Sequence, residues 1–210
     1  MSKKYPILLV VLLAVTACAT VTKVPVAWKD SGYEGGTFER VLIIGVSKDP
    51  AVRRTFEDEF ATAITMQGTL ATPSYNVLPD TGYASKEAID QVLQQYQFDG
   101  LIVSRLLTVD QDTTYVPPRP YVVPRAYYDY YGFYNAAWGV TYEPGYTVRH
   151  TTVKLETNLY DANPKHLVWS GQSNTFDPAS ERDVINSATR AIVERLAAEE
   201  LIGRPAFGRP

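Results

Sequence analysis

Two histidines, one cysteine, a serine–lysine turn and a few arginine–glutamate spacings are the residues of this 210-residue chain that could do chemistry. A serine nucleophile needs a histidine to take its proton and a carboxylate to hold that histidine. His150 and His166 stand beside no identifiable nucleophile, and the chain holds no G-x-S-x-G. No Cys/His or His/carboxylate cluster has the spacing of a metal site, so no metal or other cofactor is expected. Anion binding has one candidate, the turn Gly45-Val46-Ser47-Lys48-Asp49-Pro50, which closes an apolar run and opens a helical pattern. Ligands of α/β sheets gather at strand carboxyl ends, where helix N-termini attract negative charge. Ser47 and Lys48 would be the contacts, although the turn is neither G-x-G-x-x-G nor a P-loop. Arg53 with Glu57, and Arg54 with Asp58, are i,i+4 neighbours on that helix. They are expected to be surface ion pairs worth a few tenths of a kcal/mol. Arg105 interrupts an apolar strand and Glu156 lies on the more polar face of a later one. Buried charges require partners, so these two are expected to meet as a structural pair.

Cys18 has a different chemistry in view. Lys3 and Lys4 precede an apolar core from Ile7 to Val15, and Val15-Thr16-Ala17-Cys18 follows. That is the order of a secretory signal, with a core about half the ~20 residues needed to span a bilayer. The last four residues resemble the bacterial lipobox, with Val15 and Thr16 departing mildly from its commonest residues. The resemblance implies removal of residues 1–17, a diacylglycerol thioether on Cys18 and an acylated new N-terminus. Three acyl chains, at ~0.8 kcal/mol per buried methylene, would make a stable anchor. Lipidation also accounts for an odd thiol in an exported chain. Ala19 and Thr20 follow the cysteine where an aspartate would favour inner-membrane retention. Lipoprotein sorting then implies the periplasmic face of the outer membrane.

Removal of Lys3 and Lys4 with the leader moves the formal charge from -3 to -5. A mildly acidic chain without a basic cluster is a poor nucleic-acid binder. Residues 18–37 read as a lipidated N-terminus and tether, in which Val24, Val26 and Trp28 alternate as an edge strand would. Residues 38–203 read as one α/β domain, with 204–210 as a tail. Arg40 to Val46 is a β-branched run suited to a strand buried on both faces. Asp49-Pro50 then caps a helix with Val52, Phe56, Phe60 and Ile64 on one face and Gly68 as its stop. A second strand is expected over 70–78, a second helix from Ser85 to Gln97, and a third strand from Leu101 to Val109. Right-handed crossovers make those three strands parallel. Thr147 to Tyr160 and Leu167 to Phe176 read as a hairpin around the turn Asp161 to Lys165. Ser180, with Asp183 three residues on, opens a last helix running to about Leu201. The predicted fold is therefore an α/β (α+β mixed) sheet of three parallel strands plus an antiparallel hairpin, with helices packed on it.

Between the third strand and the hairpin, residues 111–146 are rich in tyrosine and proline. A connection of this length is uncommon in a compact domain and is usually functional or disordered. Tyrosine gives large contact area with little entropy to lose. Tyr127, Tyr128, Tyr130, Tyr131, Tyr134 and Trp138 are the candidate partner-binding residues. A protein partner, a glycan such as peptidoglycan, a flap over the chain's own sheet, and a disordered loop all fit the composition. Tyrosine and tryptophan also favour the membrane interface.

The chain resembles a group of proteobacterial outer-membrane lipoproteins without assigned activity. The resemblance rests on Trp28-Lys29-Asp30, on Arg40 to Val46, on Arg53-Arg54-x-Phe56-Glu57-Asp58-x-Phe60, on Leu159-Tyr160-Asp161 and on Leu167-Val168-Trp169-Ser170. It implies no catalytic residue. The function expected is that of a lipid-anchored, periplasm-facing, non-enzymatic binding or assembly module. An envelope hydrolase with unidentified catalytic residues and a small-ligand binder at residues 45–49 are the alternatives.

Overall fold

Asp49 does at the first helix what its position in the sequence predicts. The computed structural model describes residues 20–78, 84–121, 141–163 and 165–203, and their side chains except at 120–121 and 141–143. In it the Asp49 carboxylate accepts from the amides of Ala51 and Val52, and Pro50 is the first helical residue of α1 (Pro50–Met66). Phe56, Phe60, Ala61 and Ile64 of α1 are buried. Burial of each large side chain contributes ~1.5–3 kcal/mol. The helix stops at Gln67, and Gly68 follows at φ +102, a backbone conformation that a Cβ disfavours.

Six strands form one mixed sheet in the order β1-β8-β7-β4-β2-β3. Their ranges are β1 Val21–Lys29, β2 Arg40–Val46, β3 Leu70–Pro73, β4 Gly100–Val116, β7 Tyr146–Asp161 and β8 Leu167–Phe176. β2 pairs with β3 and β4 in parallel, while β4 with β7, β7 with β8 and β8 with β1 are antiparallel. A separate pair, β5 (Arg119–Tyr121) with β6 (Thr141–Glu143), continues beyond β4 and β7. α1 and α3 (Glu181–Ala198) cover one sheet face, over a core that includes Val41, Ile43, Ile102, Leu159 and Trp169. α2 (Lys86–Gln95) lies on the other, against Leu42, Ile44 and Leu101. β2 is thus buried on both faces, which is why its sequence is continuously apolar. Ser85 caps α2 through the Ala88 amide, and Ser180 caps α3 through the Asp183 amide.

The edge strand expected around Val24, Val26 and Trp28 is present: nine residues of the segment 18–37 form β1, which zips along β8 from Val21↔Phe176 to Lys29↔Trp169 at one edge of the sheet. Two other elements differ from the sequence reading. β3 is four residues long, because Ser74–Asn76 turns away as a 3-10 helix where the strand was expected to continue to 78. The third strand does not end at Val109. β4 runs on to Val116 because β7 starts at Tyr146 and supplies a partner throughout. Both sheet edges are poor templates for further pairing: β1 carries Lys23, Pro25 and an irregular register, and β3 is short and ends in Pro73.

Candidate functional site

At the carboxyl end of β2 and beside the middle of β4, the sheet and two helix starts enclose a groove of about 440 Å³. Its floor is Ser104, Leu106, Val153 and Leu155, and its walls include Val52, Phe56, Val184 and Ile185. Arg53, Ser47, Ser180 and Glu181 bring polar groups to an otherwise apolar surface. A cavity of this size, mostly apolar with few polar groups, is the usual form of a small-ligand site.

The groove depends on a close helix–sheet contact. A Cβ on Gly45 would lie 2.9 Å from Phe56 Cδ1 and 3.5 Å from Glu57 Cγ, so only glycine lets α1 sit this low on β2. Beneath the groove Glu57 is fully buried. Its Oε1 accepts from the Gly45 amide at 3.0 Å and from the Ser74 hydroxyl at 2.6 Å, and its Oε2 accepts from the Tyr75 amide at 3.2 Å. Arg53 Nε stands 3.9 Å from Oε1. One carboxylate thus ties the end of β2, α1 and the 3-10 turn together. The expected surface pair Arg53–Glu57 is a buried one. The neighbouring Asp58 and Arg54 do face outward, where Asp58 accepts from the Tyr75 hydroxyl and Arg54 lies over the Tyr75 ring at 5.5 Å. The hydrogen bond to Asp58 holds the Tyr75 hydroxyl above its ordinary pKa, with burial adding to it.

The turn expected to hold an anion is already occupied from within the chain. The Asp49 carboxylate takes the first amides of α1, and the Ser47 hydroxyl oxygen accepts from the Asp49 amide at 3.1 Å. Lys48 is exposed on the outside of the turn. Ser47 lines the groove rather than an anion cradle.

Arg105 and Glu156 are register partners on β4 and β7. Arg105 Nε and one terminal nitrogen both reach Glu156 Oε2 at 2.7 Å. The pair sits on the sheet face that no helix covers here, with the Arg105 side chain 60% exposed, so burial is not what brings the two together. Each histidine faces a carboxylate. His150 Nδ1 lies 2.8 Å from Asp177 Oδ2, and His166 Nε2 lies 3.7 Å from Asp30 Oδ2. The His150 contact, with the Thr151 amide second, holds Asp177 below the usual carboxylate range. Among the described residues no three His, Cys, Asp or Glu side chains converge to hold a metal ion.

The opposite end of the sheet has a more polar recess of about 400 Å³ between Tyr33, Asp99, Asp161 and Asn163. Asp99 accepts from the amides of Glu39 and Arg40, and Tyr33 stacks on Phe38 at 5.5 Å. Burial, then the charges of Asp161 and Asp99, push the Tyr33 hydroxyl up to about 12.

At the groove end, β4 and β7 project as a ribbon. β8 and β1 stop at the row Asp110–Thr152–Phe176–Val21, whereas β4 and β7 stay paired from Gln111↔Thr151 to Val116↔Tyr146. Those rungs add ~20 Å at the rise of an antiparallel strand. Tyr115 and Tyr146 near its end are 62% and 59% exposed.

No protein-family model matches the chain, and no curated protein matches it. Among solved structures it is similar to the PelC dodecamer from Paraburkholderia phytofirmans, at 12% identity over 84% of this chain and 97% of that one, with a TM-score of 0.44. It is similar also to the lipoprotein GNA1162 from Neisseria meningitidis, at 14% identity over 76% and 99%, with a TM-score of 0.42. At these values neither likeness carries a residue or a partner across to this chain.

Cys18, Tyr127, Tyr128, Tyr130, Tyr131, Tyr134 and Trp138 lie outside the described residues. No helix among the described residues is long and apolar enough to cross a membrane. The groove and the buried Glu57 are what sequence reasoning missed. Glu57 had a signal: Arg53, Glu57 and Ala61 flank the apolar stripe of α1 at the same four-residue spacing.

Proposed function

We propose that this chain is a lipid-anchored envelope protein, held by Cys18 on the periplasmic face of the outer membrane, and a non-enzymatic contact module. Its β4–β7 ribbon presents the tyrosine-rich segment to an envelope partner, a protein or a glycan. The observation that carries this reading is the ribbon itself. A chain that merely needed to connect β4 to β7 would turn where β8 ends, yet the two strands stay paired for a further stretch. Ordering such an arm costs ~1–2 kcal/mol of backbone entropy per residue, which favours a role for what it holds.

In-cell crosslinking from a photoreactive residue at Tyr130, with a probe at Glu199 as control, tests the contact. A specific adduct absent from the control is the expected result. Labelling no greater than the control would sink the arm as a recognition surface. The anchor is tested separately: Cys18→Ala should move the protein from the membrane to the soluble periplasmic fraction.

The groove supports a second reading, a small ligand with an apolar body seated against Phe56, Leu106 and Ile185. Displacement of an apolar fluorescent probe from wild type but not from a groove-filling Ser104→Phe variant would favour it.

A further inference from the structure

The attachment point and the ribbon leave the body at the same end and in the same direction. β1 runs from Val21, paired with Phe176, towards Lys29, paired with Trp169. Traced backwards from Val21, the chain therefore heads past the end of β8, as the ribbon does. Cys18 is three residues before Val21. Three residues span at most ~10 Å, even fully extended. The ribbon reaches ~20 Å past the same row before β5 and β6 begin. Whatever surface holds the lipid of Cys18 is thus within reach of the ribbon's outer end.

The side chains there suit that surface. The three outermost rungs, Thr114↔Val148, Tyr115↔Thr147 and Val116↔Tyr146, carry no charge. Behind them, on the body side, come Thr113↔Arg149 and Asp112↔His150. Beyond them Arg119 opposes Glu143, one charge of each sign. An uncharged band bearing exposed tyrosines suits the boundary between headgroups and hydrocarbon, and the charged rung beyond it keeps the ribbon from going deeper. A ribbon of two strands has unpaired amides and carbonyls along its edges, so it cannot cross the hydrocarbon unaided. It belongs at headgroup depth.

We propose that the outer end of the β4–β7 ribbon lies in the headgroup region of the leaflet that holds Cys18, a second contact that fixes the domain end-on to the membrane. The inference rests on lipidation of Cys18, and it names the leaflet as the arm's first partner. A lipid anchor at one point on a short leash leaves the body free to tumble. A second contact on the same side removes that freedom and sets the groove, which opens at this end, close to the bilayer.

The test uses the lipidated protein in vesicles of phosphatidylethanolamine and phosphatidylglycerol that carry a nitroxide on a fraction of the headgroups. The sulfur of Cys18 is consumed in the thioether, so an introduced cysteine is the sole reactive thiol. A fluorophore is placed by Thr114→Cys on the ribbon and, as control, by Met66→Cys at the far end of α1, where Met66 is exposed. Thr113→Cys places the probe on the other face of the ribbon and guards against a local defect in one variant. Several-fold stronger quenching at both ribbon positions than at Met66→Cys is expected. Equal quenching, with the protein on the vesicles, overturns the leaflet contact and leaves the anchor standing. Protein that stays off the vesicles overturns the anchor and this inference together. Quenching that appears only after membrane proteins are added assigns the arm to a protein partner and also overturns it.

Discussion

Arg53–Glu57 and Arg105–Glu156 are the same two residue types at close range in opposite settings. The first pair lies beneath α1, with Glu57 fully buried and its carboxylate shared among two amides, a hydroxyl and a guanidinium. The second spans two strands on the open sheet face, with a single carboxylate oxygen receiving both arginine nitrogens. The contact in the exposed pair is the shorter one, 2.7 Å against 3.9 Å, yet it is the one whose loss should matter less. Water can take over an exposed charge, whereas a buried carboxylate owes its stability to every donor that replaces water. Distance between charges therefore ranks these pairs wrongly, and the number of neutral donors around the acid ranks them correctly.

The contrast can be broken most directly at Glu57. Glu57→Ala strands the Gly45 and Tyr75 amides and the Ser74 hydroxyl and leaves Arg53 without its carboxylate. Loss of one partner of a buried pair costs ~3–5 kcal/mol, to be read from urea unfolding midpoints. A loss under ~1 kcal/mol would place this site with exposed pairs. Gly45→Ala tests the same locus from the strand side, because the new methyl meets Phe56 at 2.9 Å. Overpacking of this kind costs ~1–3 kcal/mol, and the variant should also change the volume of the groove, visible as altered probe binding. On the open face, a double-mutant cycle of Arg105→Met and Glu156→Gln should return a coupling of ~0.2–1 kcal/mol that fades with added salt. A coupling above ~2 kcal/mol would show that the exposed pair is wrongly contrasted with the buried one.

The smallest effect is one of pH. Tyr33 is raised from 10.0 to about 12 by burial and then by Asp161 and Asp99. The fold favours the neutral phenol, so its contribution is complete below pH 10.0 and is lost as pH rises towards about 12. Tyr33→Phe should flatten the fall of Tm across that window and leave its value near neutrality almost unchanged. An unchanged alkaline slope would assign the loss to other groups.

Local signals carried most of the fold. The Asp49-Pro50 cap, the Phe56–Phe60–Ile64 stripe and the alternation of the β7–β8 hairpin each reside in a short window, and each element formed where its window lay. The errors arose where the deciding partner was distant. β4 was expected to end with its apolar run at Val109, but Gln111 to Val116 are strand because β7 lies alongside. β1 was expected as an edge strand from three alternating residues, but its nine-residue length comes from β8, roughly 150 positions away. The groove was illegible for the same reason, since its lining comes from residues 45–56, 104–109, 153–155 and 178–185. Arg53 and Glu57 were misassigned by a local rule that holds on an exposed face, on a helix where that face turns under the sheet edge.

The pairing of β1 with β8 also has a mechanical meaning. With the lipid anchor proposed above on Cys18, a pull on the body would enter the domain at Val21 and run along the axis of β1. Its hydrogen bonds to β8 lie across that axis, so they are loaded side by side in shear rather than opened one after another. Side-chain bonds from Thr22 to Thr175 and Ser187 fasten the loaded end to both the sheet and α3. The strand that the proposed anchor would load is thereby joined to the body in the geometry that resists tension best.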